Sequence, residues 1–385
     1  MRVMLATGFY PGDKMGGAEY QTALLARELA AQGHAVAFLA TRAGREAKYH
    51  DQGITVLETA GPHTTSPSRH AQALDNLVKT WAPDLCYLRI FADIAPLMSS
   101  CRRYGVATVS MSCSGPETSP FLLGHHPYEA AGHLLKGTFY EHLRSFRAIA
   151  QADVHACNTR ELSDNVTRWY PRKRIHTVYN GTPFPDSSEL HTQPGKQVVW
   201  VNNIKRVKRP EWFVELARRL PDYDFVMIGA LYPGRYGRAI QQILDEAPAN
   251  LHYLGRQPVE TANQIIGQSD LLVYTTRPGY EGFGNSFLQA WMRAVPTIST
   301  YTLDDIPERE QIGRYVTDVP SLTAAVAELM ESTAQRMDMG ARARRYAESH
   351  HSVAHMVNGY WELFLHAVDE IDTGAVRAQP TFAEE

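Results

Sequence analysis

Cysteine is scarce in this chain. Four occur in 385 residues, Cys86, Cys101, Cys113 and Cys157, and no two form a CxxC pair. No Cys/His spacing fits a zinc site either, which excludes a disulfide framework and a structural zinc. The four read as free buried thiols of a protein kept in a reducing compartment. Long apolar runs are also missing: no stretch approaches the ~18 residues of a membrane-spanning helix. The opening, MRVMLATGFYPG, holds too short an apolar run for a secretory signal, and a Pro-Gly turn follows at once. These absences predict a cytoplasmic protein, soluble or held peripherally on the inner face of a membrane. An excess of one charge is lacking too, since 38 Lys and Arg face 41 Asp and Glu for a net charge of −3. That balance provides no global field for nucleic acid, and none is expected as a partner, although it leaves room for a local basic patch. No spaced aspartate motif stands out, so no metal site is assigned. Nothing in the composition speaks to oligomeric state.

What is present is a steady alternation of strands and helices. The apolar fraction of 44% suffices to fill ordinary cores. At roughly 150 residues per domain the length suggests two or three domains. Arg2 to Thr7 reads as a β-rich run, GFYPGDKMGG as a turn-rich loop, AEYQTALLARELAAQG as a helix with Gly33 at its C-cap, and AVAFLAT as a strand. This βαβ opening implies a parallel sheet. ITVLETA, DLCYLRI, VATVSMS, DVHACNT and RIHTVYNG continue the strands, with a long helical segment from about Tyr128 to Gln151. TPFPDSSELHTQPGKQ is rich in Pro, Ser and Gly and reads as a linker.

The rhythm then restarts. QVVWVNN, DFVMIGA, ANLHYLG, DLLVYTT and VPTIST read as strands, with helices at PEWFVELARRL, VETANQIIGQS, from Asn285, and over the last stretch up to HMVNGYWELFLHAV. The expected organisation is an N-terminal Rossmann-like domain over residues 1–182, a second over 183–355, a closing helix over 356–371 that packs back toward the first domain, and a disordered tail over 372–385. Doubly wound halves of this kind bind ligands at the carboxyl ends of their strands.

Two loops carry candidate chemistry. Met15-Gly16-Gly17-Ala18-Glu19 sits between a strand end and a helix start, where glycine amides and the helix dipole can meet an anion. It is not a GxGxxG pattern, and a plain tight turn explains it equally well. YEGFGNSFLQAW places Glu281 ahead of Gly282, Phe283 and Gly284 at another helix start. Those amides can bind phosphate oxygens or sugar hydroxyls, and a carboxylate can hold hydroxyls. A solvated loop glutamate with turn glycines is the alternative.

This second stretch resembles the signature of retaining glycosyltransferases of family 4 (glycosyl transferases group 1), which have the GT-B fold. The family pattern is Glu-Gly-Phe-Gly, or the same with Pro last, followed by Glu-Ala eight residues after the first Glu. The opening from Met1 to Ala40 is similar to the family's first strand, Gly-Gly-Ala-Glu loop and following helix-strand. AQADVHACNT with RIHTVYNGTPF resembles the end of its first domain, WVNNIKRVKRPEWFVELARRL the start of its second, and NLHYLGRQ its base-binding loop. The likeness spans about residues 1 to 365, and its strength lies in the order and spacing of motifs that are individually weak. It implies an α/β GT-B architecture of two Rossmann-like doubly wound parallel-sheet domains facing a central cleft.

The resemblance implies roles as well. Gly16 and Gly17 would pack against a donor diphosphate. Lys208 falls on the lysine of the basic pair that neutralises it. Asn203 stands where the pair's arginine belongs, so Lys205 or Arg206 would have to compensate. For Lys205, Arg206 and Arg209 the plainer reading is a solvated basic turn. Glu281 would face the donor sugar, with Gly282, Phe283 and Gly284 offering amides. Gln289 replaces the acidic residue that holds the ribose hydroxyls. Gly255 and Arg256 fall on the base-contacting loop. The family's first-domain histidine is missing, with Ser112, Cys113 and Ser114 in its place. Arg89, His125 and His126 are the acceptor-side candidates, and plain loop surface is the rival reading of the two histidines.

The expected activity is therefore transfer, with retention, of a hexose-type sugar from a nucleoside-diphosphate sugar. The donor is a co-substrate, UDP- or GDP-linked, with no bound cofactor and no metal ion. The acceptor would be a glycan, a lipid-linked glycan or a small molecule. Two alternatives stay open: a non-catalytic sugar-nucleotide binder, motivated by Asn203 and Gln289, and a nucleotide-sugar 2-epimerase on the same scaffold. HLLKGTFYEHLRSFRAIAQ is amphipathic enough to lie on anionic lipid, or is an ordinary packed helix.

Overall fold

The computed structural model describes residues 1–11, 16–62, 64–89, 94–118, 146 and 149–372. The helix expected from Tyr128 to Gln151 and its amphipathic stretch fall almost wholly outside the described residues, as do His125, His126, Met15 and the tail beyond Asp372. Two units make up the chain. One comprises Met1–Tyr179 with Val353–Glu385, and the other Asn180–Ser352.

The first unit is built on eight strands: β1 (Arg2–Thr7), β2 (Ala35–Ala40), β3 (Ala47–Asp51), β4 (Ile54–Glu58), β5 (Leu85–Leu88), β6 (Ala107–Ser112), β7 (Val154–Cys157) and β8 (Ile175–Thr177). Their order is β3-β4-β2-β1-β5-β6-β7-β8. All neighbours are parallel except β3 and β4. A parallel strand is covered on both faces, hence its unbroken apolar run. In β1, Val3 and Leu5 enter one core, while Met4 and Ala6 enter the other. The helix after it, α1 (Gly17–Ala31), ends at Gln32, and Gly33 takes φ +87° as a C-cap glycine does.

The antiparallel strand β3 is absent from the sequence reading. It is an edge strand of alternating exposure, AKYHD, joined to β4 by Gln52 and Gly53, both at positive φ (49° and 78°). A two-residue hairpin turn needs this conformation, and Asn-Gly or Asp-Gly is its usual signal. Gln-Gly carries the geometry without the signal. The helix Pro67–Trp81 also goes unread, although Ser66 caps it through the Arg69 amide and Pro67 opens it.

The second unit's strands are β9 (Gln197–Val201), β10 (Asp224–Ile228), β11 (Leu251–Tyr253), β12 (Leu271–Tyr274), β13 (Thr297–Ser299) and β14 (Gly313–Tyr315). They are all parallel and ordered β11-β10-β9-β12-β13-β14. In chain order this is 3-2-1-4-5-6, the dinucleotide-fold arrangement. Val198 and Trp200 of β9 point into one core with Phe213, Phe225 and Leu271.

The residues joining the units divide sharply. Asn180 and Thr182, read as the end of the first half, are bonded within the second: the Asn180 side chain donates to the Phe283 carbonyl (2.8 Å), and the Thr182 amide to the His351 carbonyl (2.9 Å). The last helix, Val353–Asp372, belongs to the first unit. Met356, Tyr360, Leu363, Phe364 and Ala367 form its apolar stripe in the core of β1 and β5. Among the described residues no helix is long and apolar enough to cross a membrane.

At the amino edge of the second sheet, one carboxylate ties three segments. Asp270, fully buried, accepts from the amides of Gly195 (2.9 Å) and Gln197 (3.0 Å) and from Nη2 of Arg336 (3.0 Å), itself 1% exposed. Removing one member of a buried ion pair strands the other charge, at a cost of about 3–5 kcal/mol. Asp270→Ala should therefore lower unfolding stability by about that amount in urea titration. A loss below about 1 kcal/mol would show that the pair is solvated.

Candidate functional site

In the second unit β9 and β12 lie side by side. The chain leaves β9 toward β10 and leaves β12 toward β13. At such a switch point the loops after the two strands diverge and open a crevice at their carboxyl ends. The loops there span residues 202–209 and 275–284.

Lys208 joins these two loops. It ends a short 3-10 turn, Arg206–Lys208, with its amide bonded to the Lys205 carbonyl. Its own carbonyl accepts from Thr275 Oγ1 (2.5 Å), and Thr275 in turn accepts from the Trp200 indole (2.9 Å). The turn after β9 is thereby fastened to the end of β12. The Lys208 side chain is only 8% exposed and its ammonium forms an ion pair with Glu281. Nζ also donates to the Tyr274 hydroxyl (3.2 Å), which donates to Oε2 of Glu281 (3.0 Å). Burial, with Lys205 nearby, holds Lys208 well below the ordinary lysine range.

The neighbouring cations have other occupations. Arg209, at left-handed φ 47°, donates to the carbonyls of Thr275 (2.7 Å) and Thr276 (3.0 Å) and to Thr300 Oγ1 (2.7 Å), and its guanidinium lies over Trp212. It is a structural clamp, not the solvated turn residue of the sequence reading. Arg206 is exposed and directed over the Tyr236 ring. Lys205, exposed, is the one whose charge is felt at Lys208.

Glu281 owes its place to the loop around it. Phe283 is buried against Trp291 and His351, so the loop is pinned from below. Asn180 holds it from the side, donating to the Phe283 carbonyl and to Asn285 Oδ1 (3.0 Å). Gly284 is the N-cap of the helix Asn285–Met292. A Cβ there would sit 2.6 Å from the Tyr274 hydroxyl, which explains the glycine. Gln289 is buried one turn into that helix.

Further along the same sheet edge, Asn203 Oδ1 accepts from Tyr232 (3.4 Å), joining the loops after β9 and β10. The Gly255 carbonyl accepts from the Gly229 amide (2.9 Å), and Gly255 turns at φ +66°. Arg256 beside it is exposed. The residues singled out in this unit thus all lie on loops at the strands' carboxyl ends or on the helix Asn285–Met292, and Lys208 and Glu281 touch.

The first unit presents a second cluster at its own carboxyl edge. Arg89, following β5, donates from Nε to Cys113 Sγ (2.9 Å), and the Cys113 amide donates to Glu117 (2.6 Å). Burial pushes the Cys113 thiol up to about 12, so it is no nucleophile at neutral pH. Burial also raises the Glu117 carboxyl. At the start of α1 the Gly16 amide donates to Oε2 of Glu19 (3.1 Å). An internal carboxylate therefore already answers the positive end of this helix.

Two family models match the chain in succession. Residues 15–184 match Glycosyltransferase Family 4, and residues 195–332 match Glycosyl transferases group 1. The chain is built from two glycosyltransferase domains. No curated protein sequence matches it. Solved structures share the fold of this glycosyltransferase over most of its length. Sucrose-phosphate synthase from Thermosynechococcus elongatus is 17% identical, with a TM-score of 0.79 over 94% of this chain and 98% of its own. Anabaena HepE, solved with UDP-glucose, is 14% identical, with a TM-score of 0.70 over 94% and 99%. WaaG, a glycosyltransferase involved in lipopolysaccharide biosynthesis, is 12% identical, with a TM-score of 0.68 over 98% and 100%.

Tyr274 and Asn180 escape sequence reasoning. Tyr274 reads as one more apolar strand residue, and Asn180 as half of an Asn-Gly turn. Their roles depend on contacts across 7 and 103 positions of sequence.

A depressed Lys208 has a consequence for pH. A diphosphate bound at Lys208 would favour the charged ammonium, so binding there would take up a proton when Lys208 starts neutral. Affinity for a nucleoside diphosphate should then fall as pH rises through the free-protein value, by at most about tenfold per pH unit. The fall should begin below the ~10.4 of an ordinary lysine. Calorimetry across the alkaline range should show it for the wild type and a flatter profile for Lys208→Arg. Equal affinity at every alkaline pH in the wild type would contradict the assignment.

Proposed function

We propose that this glycosyltransferase moves a hexose-type sugar from a nucleoside-diphosphate sugar to a glycan, lipid-linked or small-molecule acceptor, with retention at the anomeric carbon. The observation that carries the reading is the pair of buried Lys208 and half-buried Glu281 at the carboxyl-edge switch point of a dinucleotide-type sheet. A leaving nucleoside diphosphate develops negative charge. A cation already in place stabilises that charge with little reorganisation. Lys208 is assigned this role, and the amides of Gly282, Phe283 and Gly284 assist it. The exposed Lys205 adds positive potential where Asn203 has replaced an arginine. Glu281 holds the sugar and favours the oxocarbenium-like carbon electrostatically. UDP is the first nucleotide to test, because the similar fold of HepE binds UDP-glucose.

Calorimetry with UDP, GDP, ADP and their sugars tests the reading. One of them should bind, and Lys208→Ala and Glu281→Ala should each cut transfer by about 10²- to 10³-fold with the fold intact. Turnover in EDTA should match turnover without it, as expected if Lys208 does the work of a divalent cation. Wild-type rates in either variant would overturn the assignments. Product analysis separates transfer from 2-epimerisation, which needs no acceptor. Binding without release of nucleoside diphosphate to any acceptor would favour a non-catalytic binder.

Gln289 gives an independent handle. A carboxylate makes charge-assisted bonds to ribose hydroxyls that an amide cannot, a gap of about 1 kcal/mol. Gln289→Glu should tighten nucleotide binding by about fivefold in the same calorimetry. Weaker binding would show that Gln289 does not face the ribose.

A further inference from the structure

We infer that Tyr274 is a positioning residue for the transfer reaction, its hydroxyl setting where the Glu281 carboxylate and the Lys208 ammonium stand relative to each other. The inference rests on the donor-site reading above and adds a residue that no motif marks.

The hydroxyl is placed to serve both partners. A phenol donates one hydrogen bond and accepts others. Here it donates to Oε2 of Glu281 (3.0 Å) and accepts from Nζ of Lys208 (3.2 Å). The ring is as constrained as the hydroxyl. Tyr274 is the last residue of β12, in register with Ser299 of β13. It is 1% exposed and lies against Phe287, ring centroids 4.5 Å apart. Lys208 Nζ is 5.2 Å from the ring centroid. Burial raises the phenol's pKa, so it remains a neutral donor.

A lysine and a glutamate alone would simply close on each other. A diphosphate that draws Lys208 away would then leave Glu281 without a fixed direction. The Tyr274 hydroxyl remains bonded to Glu281 when Lys208 turns to the phosphate. The carboxylate thus keeps its aim at the sugar through the step that needs it. Gly284 belongs to the same device, since a Cβ there would fall 2.6 Å from this hydroxyl and 3.0 Å from Cζ.

Tyr274→Phe keeps the ring and deletes the bridge. The expected result is a kcat lower by about ten- to hundredfold, the scale of one hydrogen bond to a charged group. The donor KM should change by less than about threefold, because Lys208 still meets the diphosphate. Gly284→Ala should show the same split by displacing the hydroxyl. A substrate-free cycle of melting temperatures with Tyr274→Phe, Glu281→Gln and the double variant should be non-additive. Additive shifts, or an unchanged kcat in both single-site variants, would overturn the inference while nucleotide binding by the wild type left the donor site standing. Failure of the wild type to bind any nucleotide would instead remove the donor site and this role with it.

Discussion

The second domain is organised around one buried cation. Moving an ammonium out of water is costly unless charge and hydrogen bonds replace its hydration. Lys208 finds them in Glu281 and Tyr274, and reaches them because its backbone is fastened to β12 through Thr275 and Trp200. Arg209 reinforces the same junction from the other side, with three bonds to Thr275, Thr276 and Thr300. The opposite edge of the sheet is secured by Asp270 and Arg336. The backbone of Lys208 is thus fixed, and only its side chain is left to turn toward a bound diphosphate. Such rigidity is what electrostatic stabilisation of a leaving group requires.

Much of this was legible in the amino-acid order, and the part that was not has a common cause. Apolar runs such as VMLA and LLVY declare parallel strands because both faces are covered. The glycines at 282 and 284 declare a strand-to-helix loop. Lys208 and Glu281 stand out as a lysine and a glutamate at spacings a family shares. What stayed hidden are residues whose local signal is bland and whose partners are distant. Tyr274 looks like any strand aromatic until its hydroxyl is seen against Glu281. Asn180 looks like a turn until its amide is seen on Phe283. The hairpin at Gln52-Gly53 was hidden for the converse reason: its geometry is ordinary, and its residues are not those that usually announce it.

The first domain poses an electrostatic question of its own. The helix that begins at Gly17 is the feature from which an anion site was expected. Its Gly16 amide instead meets Glu19, three residues on, as in a capping box. A diphosphate approaching the Gly16 amide would have to displace this carboxylate. Either Glu19 swings aside or the diphosphate is met elsewhere. In the second case more of the electrostatic work falls on the second domain.

That shift agrees with the inventory of cations at the proposed donor site. Asn203 carries no charge and accepts from Tyr232. Arg206 lies over Tyr236, and Arg209 is committed to carbonyls. Lys205 is exposed, and its charge is screened by solvent. Among these groups only Lys208 is both paired with a carboxylate and shielded from water, where a given charge acts most strongly. A site with two equivalent cations tolerates loss of one. A site resting on a single buried lysine does not, so the residues that fix that lysine's direction gain in importance. The Tyr274 hydroxyl, bonded to both Glu281 and Lys208, is placed to do so: where one buried lysine acts, its aim decides how well it acts.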